Sequence, residues 1–380
     1  TIPESGYEFN QEESYCKIGD NRQDNITLNY NQDTKELSVT PLSSKDTKCY
    51  LYFDEQKIQA ADIILAGKNI DDSRSGAITG SLTTNTTGTV FSVEDDDGTS
   101  YMYAGAPTDN WVQFAGFYWR IIRINGDGSI RMIYNGTSTT TSGASTQIQT
   151  STYNSSYNDN AYVGYMYGST GASSYSATHA NNNNSTIKGV LDNWYKNNLL
   201  NYSDYISTEA GFCNDRSINT TSETWWSGDT KLGYGTNDTA YGLYGRLLLN
   251  GSFRSSQNPS LECTQESNDL FTVSESSRGN RELVYPVGLI TGDEVVLAGG
   301  FGGTQNQNFY LYTHQGYWTM SPYRLESSAF THVFIVGGNG HFGNSNVHNT
   351  YGVRPVINLS ADTLLTGSGT SSDPFVVEGA

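Results

Sequence analysis

Charged side chains are scarce in this 380-residue chain, and cations are scarcer than anions. Only 16% of the residues are charged, against about 25% in average soluble domains. No lysine follows Lys231, and the formal net charge is −18. A protein that binds nucleic acid or an anionic membrane surface needs clustered basic side chains. We therefore expect neither nucleic acid nor a membrane surface as a partner.

Long apolar runs are also missing. No stretch is long enough to span a bilayer, and no signal peptide is present. The chain begins at Thr1 rather than methionine. We therefore expect no direct membrane insertion by this segment, and a removed N-terminal anchor stays open as an alternative.

Cysteine is limited to four residues, and none of them form a C-x-x-C pair. This spacing argues against a zinc knuckle or a thioredoxin-like site. Two pairs that each close a loop within one region remain, Cys16 with Cys49 and Cys213 with Cys263. Disulfides persist in oxidising compartments, so the pattern predicts an extracellular protein at a cell surface.

Common catalytic motifs are absent: the chain has no G-x-S-x-G, no P-loop and no H-E-x-x-H. The acidic run at residues 94–97 is typical of a solvated turn. Four of the five histidines lie after residue 313, among phenylalanine, glycine and asparagine and without paired carboxylates. A metal site needs converging ligands with supporting partners. We predict no metal, no cofactor and no enzymatic activity.

The chain is instead rich in asparagine, serine and threonine, with 40 glycines and 27 tyrosines. This composition favours short strands and long ordered loops. Short β runs predict a small disulfide-stapled β module at residues 1–58. Residues 59–100 are expected to form a short helix that ends at Gly67, followed by a linker rich in serine, threonine and glycine. Residues 101–380 would form the ligand-binding domain.

Several local signals organise this large domain. Residues 125–128, Asn-Gly-Asp-Gly, predict the turn of a β-hairpin. Ser185 is expected to cap a helix, and Thr291 with Glu294 forms a capping box. The run "YGVRPVINL" at residues 351–359 is typical of one buried strand, in which Arg354 needs a carboxylate or carbonyl partner. Two tryptophans, Trp119 and Trp318, are expected to belong to the frame with Arg354.

The segment before that run has the alternation expected of a binding hairpin. On strand 329–336, one face suits a core and the other carries large aromatic groups. After a glycine-rich turn, the return strand alternates phenylalanine, asparagine and histidine. Aromatic anchors beside adaptable asparagines are typical of binding surfaces, although packing beneath another loop is an equal alternative. The predicted ligand-binding residues are Tyr323, Arg324, Phe330, His332, Phe334, His341, Phe342, Asn344, Asn346 and His348. Seven of them are expected to be substantially exposed: Phe330, His332, Phe334, Phe342, Asn344, Asn346 and His348.

Five motifs carry a family resemblance over about residues 85–380: "FYWRIIRINGDGSIRMIYNGT", "STIKGVLDNWYKNNL", "YPVGLITGDEVVLAGG", "YWTMSP" and "YGVRPVINLSADTL". Together they resemble surface proteins of gut Firmicutes whose C-terminal region is similar to the formylglycine-generating-enzyme branch of the C-type lectin fold. The resemblance implies an α+β domain of C-type-lectin-like fold. That branch includes variable proteins of diversity-generating retroelements, in which a fixed frame surrounds a mutagenised binding surface.

Departures from the family narrow the expected function. Formylglycine-generating enzymes hold copper with a C-terminal cysteine pair, and this chain has no cysteine after Cys263. The calcium-dependent lectin motifs E-P-N, Q-P-D and W-N-D are absent too. We expect a surface-displayed, non-catalytic ligand-binding protein of adhesin or receptor-binding type, from a bacterium or a phage. Its partner would be a protein or glycan on another cell or host surface. A structural subunit of a filament or pilus, and an enzyme of this fold, are the alternatives.

Overall fold

The computed structural model describes residues 7–31, 34–41, 45–55, 59–220, 230–326 and 330–380. The chain divides into two compact units, Thr1–Ile58 and Gln59–Ala380. The boundary coincides with the predicted end of the β module. Residues 59–100 belong to the second unit, so the predicted helix and linker do not form a segment apart from it.

The first unit is built from short antiparallel strands: β1 (Tyr7–Ile18), β2 (Asn21–Arg22), β3 (Thr27–Asn31), β4 (Glu36–Thr40) and β5 (Thr47–Glu55). One sheet has the order β2-β1-β5, and β3 pairs with β4 in a separate hairpin. Three rings, Phe9, Tyr30 and Phe53, pack with centroids 5.4–5.7 Å apart and join the two layers. In its described residues, the first unit therefore consists of strands joined by turns.

Both predicted disulfides form in the structure. Cys16 lies directly opposite Cys49 on β1 and β5, and the bond closes the small first unit. Cys213 bonds Cys263 within the second unit. A module this small buries little apolar surface, so a cross-link contributes much of its stability. Two disulfides fit a secreted or extracellular protein.

The second unit is mixed α+β and mostly sheet. Its strands are β6 (Asn69–Asp71), β7 (Thr89–Asp95), β8 (Gly98–Met102), β9 (Trp111–Phe114), β10 (Phe117–Ile124), β11 (Ile130–Tyr134), β12 (Gln149–Thr152), β13 (Met166–Tyr167), β14 (Asn183–Asn184), β15 (Phe212–Cys213), β16 (Thr239–Ala240), β17 (Leu248–Leu249), β18 (Ser252–Phe253), β19 (Leu270–Phe271), β20 (Tyr317–Glu326), β21 (Phe330–Val336), β22 (Phe342–Asn346), β23 (Thr350–Val353), β24 (Val356–Leu359), β25 (Leu365–Thr366) and β26 (Phe375–Val377). Its helices are short: α1 (Ala60–Leu65), α2 (Tyr175–Thr178), α3 (Thr186–Asn198), α4 (Gly242–Leu247), α5 (Glu266–Asp269) and α6 (Gly292–Leu297). Three 3₁₀ turns complete the list: Gly143–Thr146, Asn160–Val163 and Leu200–Tyr205.

A nine-stranded sheet forms the larger half of this unit. Its main path is β25-β26-β9-β10-β8-β7-β6, with β11 beside β10 and β24 beside β11. The predicted hairpin is β10 with β11, and Gly128 supplies the positive φ of its turn (83°). Strands β6 to β8 come from the region assigned to helix and linker. The serine- and threonine-rich stretch before β7 is irregular, and buried Arg74 donates to the carbonyls of Val296 and Leu297.

The second sheet has six strands, in the order β12-β23-β20-β21-β22, with β16 paired to β20. Two helices predicted from their caps flank these sheets. Ser185 accepts from the Lys188 N–H at the start of α3, and Thr291 and Glu294 form the full capping box of α6. The tryptophans assigned to the frame, Trp119 and Trp318, are fully buried.

The run at residues 351–359 is not one strand. It breaks at Arg354 and Pro355, so that β23 lies in the six-stranded sheet and β24 in the nine-stranded sheet. Arg354 is buried at this junction. Its guanidinium donates to the carbonyls of Tyr134 (3.1 Å) and Leu311 (3.3 Å) and to Oδ1 of Asn135 (2.9 Å). The expected carbonyl partners are confirmed, and the single-strand prediction is wrong because proline cannot donate to a continuing ladder.

In the part of the chain that the structure describes, no helix is both long and apolar enough to cross a membrane.

Candidate ligand-binding site

The predicted hairpin forms from β21 and β22, and its register confirms which side chains share a face. His332 pairs with Asn346, Phe334 with Asn344, and Val336 with Phe342. Directly opposed residues in antiparallel strands point to the same side of the sheet. The turn between the strands is tight at Gly340, where φ is 80° and a Cβ would lie 2.3 Å from the Asn306 carbonyl oxygen.

The half of this face nearest the turn is core, which corrects the expectation of exposure. Phe334 and Phe342 are 0% and 1% exposed and stack with centroids 5.3 Å apart. Tyr323 is 4% exposed and meets Phe334 edge-on at 4.9 Å. Helix α6 covers them so closely that a Cβ on Gly292 would lie 3.0 Å from the Phe342 ring. The alternation of side chains along the strand cannot predict that α6 packs on this face. It assigns residues to two faces but does not indicate which face is exposed to solvent.

The remaining predicted residues are partly covered as well. Asn346 is 9% exposed. Five others are half-buried: Arg324, Phe330, His332, Asn344 and His348. His341 is half-buried at the turn end of the hairpin, where burial lowers the pKa of its imidazole. None of the seven residues predicted to be exposed is substantially exposed, so the prediction on exposure is wrong.

The other half of the face is half-buried rather than fully covered, and we call it the open end. It carries a ring cluster, which we define as Tyr157, Phe330 and His348. Tyr157 and Phe330 stack with centroids 5.3 Å apart and planes 10° apart. The His348 ring lies 4.5 Å from Tyr157 and 6.3 Å from Phe330. Tyr157 is 38% exposed. Its loop is fixed to the hairpin, because its carbonyl accepts from the Thr331 N–H at 2.8 Å.

A polar chain of four residues borders the ring cluster, and we call it the charged edge: Arg324, Glu326, His332 and Asn344. Arg324 and His332 contact the two carboxylate oxygens of Glu326, at 2.5 and 3.3 Å. The second nitrogen of His332 lies 3.0 Å from Asn344 Oδ1. Burial lowers the pKa of His332, Glu326 opposes that shift and Arg324 reinforces it. The edge therefore offers a cation, an anion and an imidazole within one short row.

Tyr157 and Glu326 were not predicted from the sequence. Tyr157 lies in a polar loop far upstream of the hairpin, and no periodicity links it to β21. Glu326 ends β20, and only its pairing across to β21 brings it beside His332. Both belong to the site through long-range strand contacts rather than through local pattern.

A partly open charged cavity of about 50 Å³ lies elsewhere, beside the Cys213–Cys263 bridge. It has room for few water molecules. Four arginines and seven acids line it: Arg123, Arg131, Arg246 and Arg278, with Asp95, Asp96, Asp97, Asp215, Glu262, Asp293 and Glu294. If the chain were an enzyme, such a cluster of charged groups would be the first candidate for its active site, because active sites often group titratable side chains.

The buried charges of this cavity mostly pair with one another. Glu294 contacts Arg123 at 3.2 Å and Arg131 at 2.5 Å. Burial alone would raise the pKa of Glu294, but the two arginines hold it below its usual range. Arg246 bridges Asp215 at 2.8 Å and Asp293 at 3.0 Å, and these carboxylates outweigh burial and raise its pKa. Burial raises the pKa of Asp293 and lowers that of Arg131, so burial opposes the charge on these two groups. Each contact still joins opposite charges, which is typical of a structural ion network.

Within the described ranges, no group of three or more histidine, cysteine, aspartate or glutamate side chains is arranged to hold a metal ion. Comparison of the chain with protein-family models finds no match, and comparisons with curated proteins and with solved structures find none either.

Proposed function

We propose that this chain is a surface-displayed, non-catalytic ligand-binding protein of adhesin or receptor-binding type, with a C-type-lectin-like second unit. The observation that carries the proposal is the ring cluster. Its stacked rings lie at the open end of the hairpin, and Tyr157 keeps 38% of its surface exposed. Aromatic anchors beside polar and charged neighbours supply most of the binding energy at recognition surfaces.

The division of the hairpin into a covered and an open half supports this proposal. Phe334 and Phe342 belong to the core, while Phe330 and His348 are half-buried and contact Tyr157. His348 also contacts Oδ1 of Asn346 at 2.6 Å. Side chains at the open end can therefore differ without disturbing the covered half. The ligand would be a protein or a glycan on another cell, with the charged edge adding polar contacts.

A binding screen followed by substitution tests the proposal. The purified chain would be screened against arrayed glycans and displayed extracellular proteins, and the best ligand used as the probe. Tyr157→Ser and Phe330→Ser should each weaken binding by about thirtyfold, because a central aromatic anchor contributes about 2 kcal/mol or more. Calorimetric titration measures the loss.

Two further measurements show whether a loss of binding comes from the ring cluster: the stability of the variant and the binding of a matched control. Tyr157→Ser should lower the free energy of unfolding by only about 0.5–1.5 kcal/mol, because it removes ring contacts at a partly exposed position. Val284→Ser removes another exposed apolar side chain (68% exposed) outside the cluster and should leave binding unchanged. Unaltered binding in both cluster variants would contradict the proposed site.

The resemblance to retroelement variable proteins adds a separate proposal, that residues 323–349 are diversified. Sequencing the coding region from many cells should find adenine-directed changes confined to this segment. The covered positions Phe334 and Phe342 should stay constant, because α6 packs against them. Variation at half-buried positions such as Asn344 and His348 is expected instead. An invariant segment across cells, or changes spread evenly over the gene, would count against diversification.

A further inference from the structure

The first unit presents one sheet face that carries tyrosines and cations together. Tyr15 lies opposite Tyr50, and Lys17 lies between Arg22 on one neighbouring strand and Lys48 on the other. Opposed residues share a face, and Tyr52 follows Tyr50 by two positions, so it points the same way. We call this surface the tyrosine–lysine face: Tyr15, Lys17, Arg22, Lys48, Tyr50 and Tyr52.

The rings of this face form an exposed platform. Tyr15 stacks on Tyr50 at 5.2 Å and on Tyr52 at 6.2 Å, with planes 25° apart in both pairs. Tyr50 and Tyr52 are each 44% exposed. The small core of the unit is made by Phe9, Tyr30 and Phe53, and Phe53 alternates away from Tyr52 on β5. The platform is therefore not needed to close that core.

The three cations lie in a single row across β2, β1 and β5. Like charges directly opposite each other destabilise a sheet. Among the described residues, neither Lys17 nor Lys48 has a carboxylate partner, and Arg22 meets Asp24 at 3.6 Å. Both side chains of that pair are largely exposed, so the contact contributes little. Lys17 lies over the Tyr15 and Tyr50 rings (5.4 and 5.7 Å), and Arg22 lies over Tyr15 (4.7 Å). These ring contacts leave three positive charges in one row, and a bound anion would offset their repulsion.

The far end of the same sheet has the opposite charge. Glu8 pairs with Asp54, which follows Tyr52 by two positions and is exposed. An evenly charged polymer such as single-stranded nucleic acid prefers a basic groove along its whole length, and it would be repelled at this end. A sugar polymer in which neutral sugars separate acidic ones fits this charge pattern better. One acidic sugar can lie on the row of cations, and the neutral sugars next to it can lie on the rest of the face.

We propose that the tyrosine–lysine face binds a polysaccharide in which acidic sugars alternate with neutral ones. The apolar C–H face of a sugar ring would stack on Tyr50 and Tyr52, and the sugar carboxylate would pair with Lys17 and its neighbours in the row. This site is on the first unit and is independent of the ring cluster. The chain would then have two separate recognition surfaces.

Calorimetric titration of the full chain with a hyaluronan oligosaccharide tests the proposal, because glucuronate alternates there with a neutral sugar. Binding should weaken as salt rises, since the ion pairs are exposed and screened. Tyr50→Ser should lower the affinity about tenfold or more through lost stacking. Lys17→Asn should lower it and flatten the salt dependence. Lys35→Asn removes the same charge from the β3–β4 turn, where asparagine tolerates the positive φ of 58°, and should bind normally.

Each competing occupant has its own readout. Equal affinity for a neutral chito-oligosaccharide, or higher affinity for oligothymidylate, would overturn the proposal. So would a dimer of the free chain that Tyr50→Ser dissociates, because the face would then bind a second copy. Tyr157→Ser should keep hyaluronan binding, which separates this test from that of the ring cluster. Thermal unfolding checks that the Tyr50→Ser variant is folded. If that variant is unfolded, the affinity and salt dependence of Lys17→Asn decide whether the face binds hyaluronan.

Discussion

Glu294→Gln should lower the free energy of unfolding by about 3–5 kcal/mol, the usual cost of breaking a buried ion pair on one side. Glu294 is 1% exposed and neutralises Arg131, which is also 1% exposed, as well as Arg123. Its carboxylate also accepts from the Thr291 N–H at the start of α6. Glutamine keeps the shape and one acceptor, so the loss reports the buried guanidinium left without its anion. Urea unfolding at pH 7 measures it.

Glu262→Gln is the matched control for this prediction. Glu262 lines the same charged cavity but is exposed to solvent, so the same loss of charge should cost no more than about 0.5 kcal/mol. If both variants lowered the free energy of unfolding by no more than about 0.5 kcal/mol, the ion pairs of Glu294 would not stabilise the second unit.

Acid should destabilise the protein through His179, which is 1% exposed. Its Nε2 lies 2.8 Å from the Gly233 carbonyl, so the neutral ring donates there. Burial, reinforced by the cation of Arg216, lowers the pKa of His179 to about 3. In the unfolded chain the pKa is about 6.5. The unfolded state therefore binds the extra proton first, and stability falls as the pH falls from about 6.5 towards 3.

The expected loss from His179 is about 3 kcal/mol between pH 6.5 and pH 4, at about 1.4 kcal/mol per unit of pH. His179→Gln keeps a donor for the Gly233 carbonyl but cannot take up the proton. The difference in unfolding free energy between the native chain and this variant should therefore shrink by that amount over the same range. His314→Gln removes an exposed histidine instead of a buried one and is the matched control. Parallel pH profiles for the native chain and His179→Gln would contradict the prediction.

Features that depend on near neighbours in sequence were predictable. The Ser185 cap, the capping box of Thr291 and Glu294 and the turn at residues 125–128 each need only a few adjacent residues, and each is present. The disulfides were predictable because each pair closes a loop within one region.

Features that depend on distant cover were not predictable. The alternation of β21 and β22 separated two faces correctly, but the cover of Phe334 and Phe342 comes from α6, which lies elsewhere in the chain. Tyr157 joins the ring cluster for the same reason. The break at Arg354 depends on which sheet each half of the run meets.

The junction at Arg354 also sets the order in which the second unit can fold. Strand β24 pairs with β11, β23 pairs with β12, and Arg354 donates to a carbonyl 220 residues earlier in the chain. Contacts of such separation require closing long loops, which slows folding. Neither large sheet is complete until the last residues of the chain arrive. Until residues 350–377 are available, the strands already formed in both sheets therefore keep unpaired edges.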